Sequence, residues 1–500
     1  MRSLPFATLA LAVAPLAACS TDFSPKACTL DSECGDGLVC VRTGDAGVCA
    51  DAASSPLVFG MSAAASGPSQ DLGTEMKRGV SLAFDAQNAA GGIRGRPLVL
   101  DFRDDEYRPD LAEQNAKGLL NVQVGATAPR CPTTTEPPVA GQEPFSDTAL
   151  DRGPGAVIAV LGNVGTPTMV RFAPIAVETQ TMFFGAFTGA KAMLRDDKAG
   201  PCKRFIFNVR ASYAQEAYAT LEFFVSRGVK DWQHMISFDQ DDSFGQAGYD
   251  GMTAAYPPIA EAEGLPVMGE GDAIARFRYQ RDDLASVPAQ IAAVAEHLEG
   301  ILAGDTANHT IGIMMTDTYG PGSQFIEGIR DWQYGDIEAA QRLTIYFSNV
   351  SFVGPNSLSR NLVDSGQVST PAGAKPYTDG VYVSQVVPNY DQDSSDAVFE
   401  YKQLLADAGA QPNFTSLEGY IAGRVFIAGL LAHEGEYTSS ALVPTFEQLP
   451  DLSLGLGATS GFSPENHQYS RSVWGTGIEP DGKFRNIYYW REGTPISFFE

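Results

Sequence analysis

From residue 57 onward, short apolar runs alternate with longer stretches in which apolar side chains recur every three or four positions. The run at 57–61 has the length of a strand. A Gly67-Pro68 turn follows, and 73–92 then sets Met76, Val80, Ala83 and Gln87 at helical spacing before Gly91-Gly92 stops it. A second strand is expected at 97–102, and Arg108-Pro109 opens a helix through Leu120 with Ala112, Ala116 and Leu119 facing inward. The rhythm continues with a strand at 156–161, a helix beginning near Pro167 and a strand at 182–184. A second block predicts buried strands at 234–238 and 310–315 and helices at 213–227, 289–302 and 322–332. Strands separated by helices predict an α/β protein with parallel sheets, and ligands in such sheets bind beyond the carboxyl ends of the strands.

The chain has 500 residues, 44% of them hydrophobic, enough for two or three compact units. Its formal charge of -26 is spread along the sequence rather than gathered in a tail. That balance excludes nucleic acid and anionic membrane surfaces as partners, because both would repel the chain, and otherwise serves solubility.

Ahead of the alternating pattern, Arg2 precedes an apolar run from Leu4 to Val13. This is shorter than the roughly 20 residues a permanent span requires, so residues 1–18 read as a signal peptide. Leu16-Ala17-Ala18-Cys19 resembles the lipobox of bacterial lipoproteins. That resemblance implies lipidation at Cys19 and a mature chain anchored to a membrane; secretion without lipid is the alternative. No later apolar stretch of about 20 residues is expected.

Export places the seven cysteines in an oxidising compartment. Cys28, Cys34, Cys40 and Cys49 lie among Asp, Gly and Thr in a leader and linker over 19–55, too small for an apolar core. Two disulfides are expected there. Zinc is the alternative, although no pair has C-x-x-C spacing and no histidine lies nearby. Cys131 and Cys202 remain as a candidate pair tying down the Pro/Thr-rich 127–144, a connectivity that sequence does not establish.

The segment 57–120 resembles the opening of the type I periplasmic binding proteins, particularly the branched-chain amino-acid group of ABC-transporter receptors. The residues that carry the resemblance are Phe59-Gly60, Ser66-Gly67-Pro68, Gly73, Gly79, the run Asn88-Ala89-Ala90-Gly91-Gly92-Ile93-Arg94-Gly95, and Asp104-Asp105. It implies two doubly wound parallel-sheet lobes joined by a three-segment hinge and preceded by the disulfide-rich leader. The chain would cross between lobes near 208–211, 352–355 and 461–464. Lobe one would comprise 56–209 plus 353–462, and lobe two 210–352 plus 463–500. Three crossings make a hinge that bends without shearing.

The resemblance also implies where a ligand sits. Gly165-Thr166-Pro167-Thr168 follows a buried strand and opens a helix, with Thr166 as cap or hydroxyl donor and Pro167 as the first helical residue; an ordinary cap is the other reading. Gly185-Ala186-Phe187-Thr188-Gly189 matches the family's second binding loop, and Thr188 is the strongest single candidate. Tyr213, just past the first crossing, would add a ring and a hydroxyl. Phe244 aligns with an aromatic cover and reads nearly as well as core. The family's acidic partner for a ligand ammonium is replaced by proline in Thr316-Asp317-Thr318-Tyr319-Gly320-Pro321. Asp317 is the nearby substitute. If Asp317 points to solvent, the ligand is instead an amide, a urea-like compound, a sugar derivative or an aromatic acid, with Tyr319 as a polar and aromatic contact.

No G-x-S-x-G elbow, H-E-x-x-H helix or P-loop is present, and the five histidines are scattered singly. These features predict no enzyme, no cofactor and no metal. The resulting expectation is a monomeric periplasmic receptor that delivers a small polar ligand, an amino acid or amide-like compound, to an ABC permease in the inner membrane. The alternative is a ligand sensor or envelope-regulatory lipoprotein of the same fold.

Overall fold

The computed structural model describes residues 26–28, 33–43, 46–125, 149–190, 203–457 and 461–499. The signal peptide, Cys19, Cys131 and Cys202 lie outside them. The chain divides into a leader ending at Asp51 and a main unit starting at Ala52.

The leader is a three-stranded antiparallel sheet in which Ala46–Asp51 lies between Ala27–Cys28 and Leu38–Thr43. Cys28 bonds Cys40, and Cys34 bonds Cys49. With all four sulfurs in disulfides no thiolate is left for zinc, and the bridges supply the constraint that a segment this small cannot draw from a core.

In the main unit, a five-stranded parallel sheet runs in the order Ile206–Phe207, Met182–Phe184, Ala159–Leu161, Leu57–Ala63 and Leu98–Asp104. Helix Gln70–Ala89 buries Leu72, Met76, Val80, Ala83 and Phe84 on one face. Its glycines decide how closely it packs. A Cβ on Gly79 would stand 2.0 Å from the Ser416 carbonyl oxygen of helix Phe414–Ala432, and one on Gly419 would stand 2.4 Å from the Met76 oxygen. That second helix is apolar over most of its surface, with Glu418 and Arg424 its only charged residues, as suits a helix enclosed on most sides. It is long and apolar enough to cross a membrane by composition, contrary to the sequence expectation, but it is mostly buried within this fold, with Phe426 against Phe59 and Phe184.

An eight-stranded sheet holds five parallel strands, Ala275–Tyr279, Met235–Gln240, His309–Thr316, Leu343–Asn349 and Val381–Gln385. It ends in three antiparallel strands, Ser472–Ile478, Phe484–Arg491 and Thr494–Phe498. Val381–Gln385 falls within the 353–462 expected of lobe one, and it pairs in the eight-stranded sheet with Leu343–Asn349. Helix Pro355–Ser365, bounded by Gly354 and Gly366 at positive φ, is the crossover between Leu343–Asn349 and its parallel neighbour. The chain therefore returns to the five-stranded sheet only after Gln385. There Ser439 Oγ accepts the Met182 amide at 2.8 Å.

Two connections run side by side. Asn208 exchanges main-chain bonds with His467 and Tyr469, and Val209 accepts the Ser470 amide. Arg210, wholly buried, bonds Glu216 at 2.8 Å and Glu418 at 3.3 Å and donates to Ser351. Glu216 also accepts from Ser351 N at 2.7 Å and Ser384 Oγ at 2.6 Å. One buried ionic cluster thus joins elements that pack on both sheets.

Candidate functional site

The loops beyond the carboxyl ends of the two sheets face each other, and most of the sequence-predicted residues gather there. Gly165, with φ 99°, caps helix Thr166–Glu178, so Thr166 is the first helical residue rather than the cap. Freed from capping, its hydroxyl bonds that of Thr188 at 2.7 Å. The two loops are zipped together by the amides of Phe187 and Gly165, each donating to the other loop. Thr168 differs: its hydroxyl donates back to the main chain of its own helix, at 2.8 Å to Gly165. The structure commits that group locally.

Opposite these hydroxyls lies an aromatic cluster. Phe352 sits 4.9 Å from Phe187, 4.7 Å from Phe244 and 6.0 Å from Tyr107 between ring centroids, and Phe244 is 5.4 Å from Tyr213. The Arg210 guanidinium lies over Phe187 at 5.2 Å and Tyr213 at 5.5 Å. Burial works against that charge, but Glu418 and Glu216 outweigh it and hold Arg210 above its ordinary pKa. The Tyr213 hydroxyl is buried and makes no hydrogen bond among the described residues; burial pushes its pKa up, countered in part by Arg210.

Asp317 does not point to solvent. It is fully buried just past strand His309–Thr316, and neither carboxylate oxygen is hydrogen-bonded among the described residues. Loss of hydration drives its pKa well above the usual carboxylate range. One oxygen would stand 2.3 Å from a Cβ on Gly322, so only glycine leaves room for it there. Tyr279, whose own pKa rises through burial and then the nearby Asp317, donates to Gln240 at 3.1 Å. Gln240 in turn donates to the Tyr107 hydroxyl at 3.3 Å. The Tyr107 ring covers Gly165, where a Cβ would come within 2.3 Å of it. A continuous chain of contacts therefore leads from Thr166 and Thr188 on one sheet to Asp317 on the other. Tyr319 adds a second link, donating to the Pro68 carbonyl at 2.5 Å.

Three members of this cluster escaped the sequence reading as site residues. Tyr107 follows Glu106 with both at positive φ, a backbone that non-glycine residues seldom adopt and that leaves no sequence mark. Phe352 was placed only as a crossing residue. Arg210 carried a usable signal, a lone cation between Val209 and Ala211 where a buried crossing was expected.

Paired hydroxyls, tilted and edge-on rings and a buried carboxyl without a hydrogen-bonding partner among the described residues lie together beyond the carboxyl ends of parallel strands in two sheets, the place where folds of this kind bind small ligands. The family model for periplasmic binding proteins matches residues 56–128. A Leu/Ile/Val-binding protein homolog of Brucella melitensis is 38% identical over 71 residues, 14% of this chain and 19% of that protein. A possible leucine/isoleucine/valine-binding protein of Rhodopirellula baltica is 30% identical, covers 88% of this chain and 98% of its own, and superposes with a TM-score of 0.67. A branched-chain amino acid ABC transporter structure from Thermus thermophilus with bound valine is 12% identical, with coverage of 88% and 97% and a TM-score of 0.63. The chain belongs to the type I periplasmic binding proteins. Its family and structural neighbours are substrate-binding proteins, not enzymes, and the family is extracytoplasmic.

Proposed function

We propose that this chain is the substrate-binding component of an ABC transporter, capturing an amino acid or related small polar solute as two lobes close on it. The observation that carries this reading is Asp317, a buried carboxyl without a hydrogen-bonding partner among the described residues at the end of a parallel strand. A buried carboxylate left alone is costly, and a ligand ammonium is the partner that offsets it. Thr166, Thr188 and the amide end of helix Thr166–Glu178 supply donors for a ligand carboxylate. Phe187, Tyr213, Phe244 and Tyr319 would line the space between, with Tyr107 and Phe352 added and Thr168 in a supporting role. The valine in the Thermus thermophilus structure supports the same ligand class.

In this reading the two sheets are the cores of the two lobes, with the second boundary moved from 353 to the loop after Gln385. The mature chain acts as a periplasmic monomer anchored by lipid at Cys19, uses no cofactor, and hands its ligand to an inner-membrane permease. A thermal-shift screen against amino acids, their deaminated analogues, amides and aromatic acids tests it. Ligand at 100 times its dissociation constant stabilises the fold by about 2.7 kcal/mol. Amino acids are expected to shift the transition and deaminated analogues to fail; silence across the whole library would overturn the receptor reading. A second reading, ligand sensing, is favoured by the leader, which is a disulfide-stapled sheet where a receptor needs only a tether. Deleting residues 26–51 spares uptake under the first reading and abolishes signalling under the second.

A further inference from the structure

A cleft of about 1110 Å3 lies beside the paired connections at 208–210 and 466–470, and none of the residues gathered around Thr188 and Asp317 lines it. Its walls are helix Tyr213–Ser226, the second half of helix Ser243–Glu263, the segment 466–472 and the hairpin of Phe484–Arg491 and Thr494–Phe498. The sequence makes the space. Gly251, Ala254, Ala255 and Ala262 put small side chains on one wall, while Tyr218 and Glu222, four residues apart, share a face of the other helix.

Several polar groups here bond one another. Gln215 Oε1 accepts from Ser212 N at 2.8 Å and from Gln468 Nε2 at 2.7 Å, and its amide donates to Glu492 at 2.9 Å. Arg471 pairs with the same Glu492 oxygen at 3.1 Å. Two groups differ: Glu222 Oε2 and Trp490 Nε1 are buried, and neither has a hydrogen-bonding partner among the described residues. Trp490 is 4% exposed, with its ring 5.5 Å from that of Tyr218. A buried indole N–H ordinarily finds an acceptor. Burial raises the pKa of Glu222, the neighbouring Trp490 counters in part, and Glu263 on the facing helix adds repulsion. One wall of the cleft therefore holds a carboxylate in need of a cation beside an N–H in need of an acceptor.

A ligand that satisfies this pair offers an ammonium and a neutral oxygen a few atoms apart. A simple amine would leave the indole unsatisfied, and a neutral sugar would leave the charge. We propose that this cleft is a second ligand site, for an amino sugar, whose ammonium donates to Glu222, whose hydroxyl accepts from Trp490 Nε1, and whose apolar ring face lies on Tyr218. The site is independent of the transport reading, because it shares no residue with the cleft around Asp317.

The test is calorimetric titration of the mature chain with glucosamine, with glucose as the amine-free control. One site per chain is expected, and glucose should bind at least tenfold more weakly. Glu222→Gln should erase that preference, and Asp317→Asn should leave it intact. Of the four indole N–H signals in a heteronuclear NMR spectrum, that of Trp490, assigned by its loss in Trp490→Phe, should shift most on adding glucosamine. Equal binding of the two sugars, binding of neither, or loss of glucosamine binding in Asp317→Asn would overturn the proposal. If Glu222→Gln fails to fold, the wild-type spectrum decides: a Trp490 signal unmoved by glucosamine sinks the site.

Discussion

Asp105 offers the sharpest link between a single buried group and the behaviour of the whole protein. It lies just after strand Leu98–Asp104, wholly buried; one oxygen accepts from Ser62 Oγ at 2.7 Å and the other from the Tyr107 amide at 3.0 Å. These bonds favour the charged form, but burial outweighs them and Asp104 next door adds repulsion, so its pKa rises from 3.8 to about 7. The folded state therefore holds a proton that the unfolded chain releases near pH 4. This contribution to stability is complete below the unfolded pKa and is lost as pH rises through about 7. At about 1.4 kcal/mol per pH unit, the difference amounts to about 4 kcal/mol. Asp105→Asn imitates the protonated form: its oxygen can still accept from Tyr107 N and its amide can donate to Ser62 Oγ. Urea denaturation from pH 4 to pH 8 should show the variant matching wild type at the acid end and exceeding it increasingly toward pH 8. Taking the difference between the two proteins cancels the titration of every other carboxylate. A variant-minus-wild-type gap that stays flat across this range would falsify the assignment.

Other groups give further predictions. Arg210→Met strips the cation from between Glu216 and Glu418 and should destabilise the protein by about 3–5 kcal/mol, read by chemical denaturation; a loss below 1 kcal/mol would mean the cluster is hydrated. Gly79→Ala drives a methyl into the Ser416 carbonyl and should lower stability by about 1–3 kcal/mol, whereas an unchanged melting temperature would contradict the close helix packing. Thr188→Val removes one half of the Thr166 hydroxyl pair and should weaken ligand binding about five- to tenfold while the fold survives. Asp317→Asn should abolish discrimination between an amino acid and its deaminated analogue. In the wild type, affinity for an ammonium-bearing ligand should rise with pH until Asp317 ionises, because binding must expel its proton; a pH-independent affinity would remove Asp317 from the site.

The parallel-sheet architecture was legible because its signals are local. Met76, Val80 and Ala83 fall on one helix face, and Pro109 and Pro167 mark helix starts as the sequence suggested. Sheet membership was not legible. Nothing within 353–376 says to which sheet its crossover leads, because that is decided by the pairing of Val381–Gln385 with Phe347 and Asn349 on one side and Trp474 to Gly477 on the other. Helix Ser243–Glu263 was hidden for another reason. It carries Pro257 and Pro258 in its interior, where sequence rules place a helix end.

The site was legible in part, and the division follows the physics of each residue. Thr166, Thr188 and Asp317 sit immediately beyond strands, a position that sequence order can specify. Their meanings depended on distances that sequence cannot hold: a hydroxyl pair at 2.7 Å for the threonines, and total burial for the aspartate. Asp317 shows the consequence. As a letter after Thr316 it left the ligand open between an amino acid and neutral compounds. Once buried, with neither oxygen hydrogen-bonded among the described residues, it becomes a charge that folding alone does not satisfy. Under the proposed function its proton satisfies it in the empty protein, where burial raises its pKa, and a ligand ammonium would replace that proton on binding. Selectivity for amino acids over deaminated acids and the pH dependence of binding then have a single origin, and abolishing one without the other would break the link.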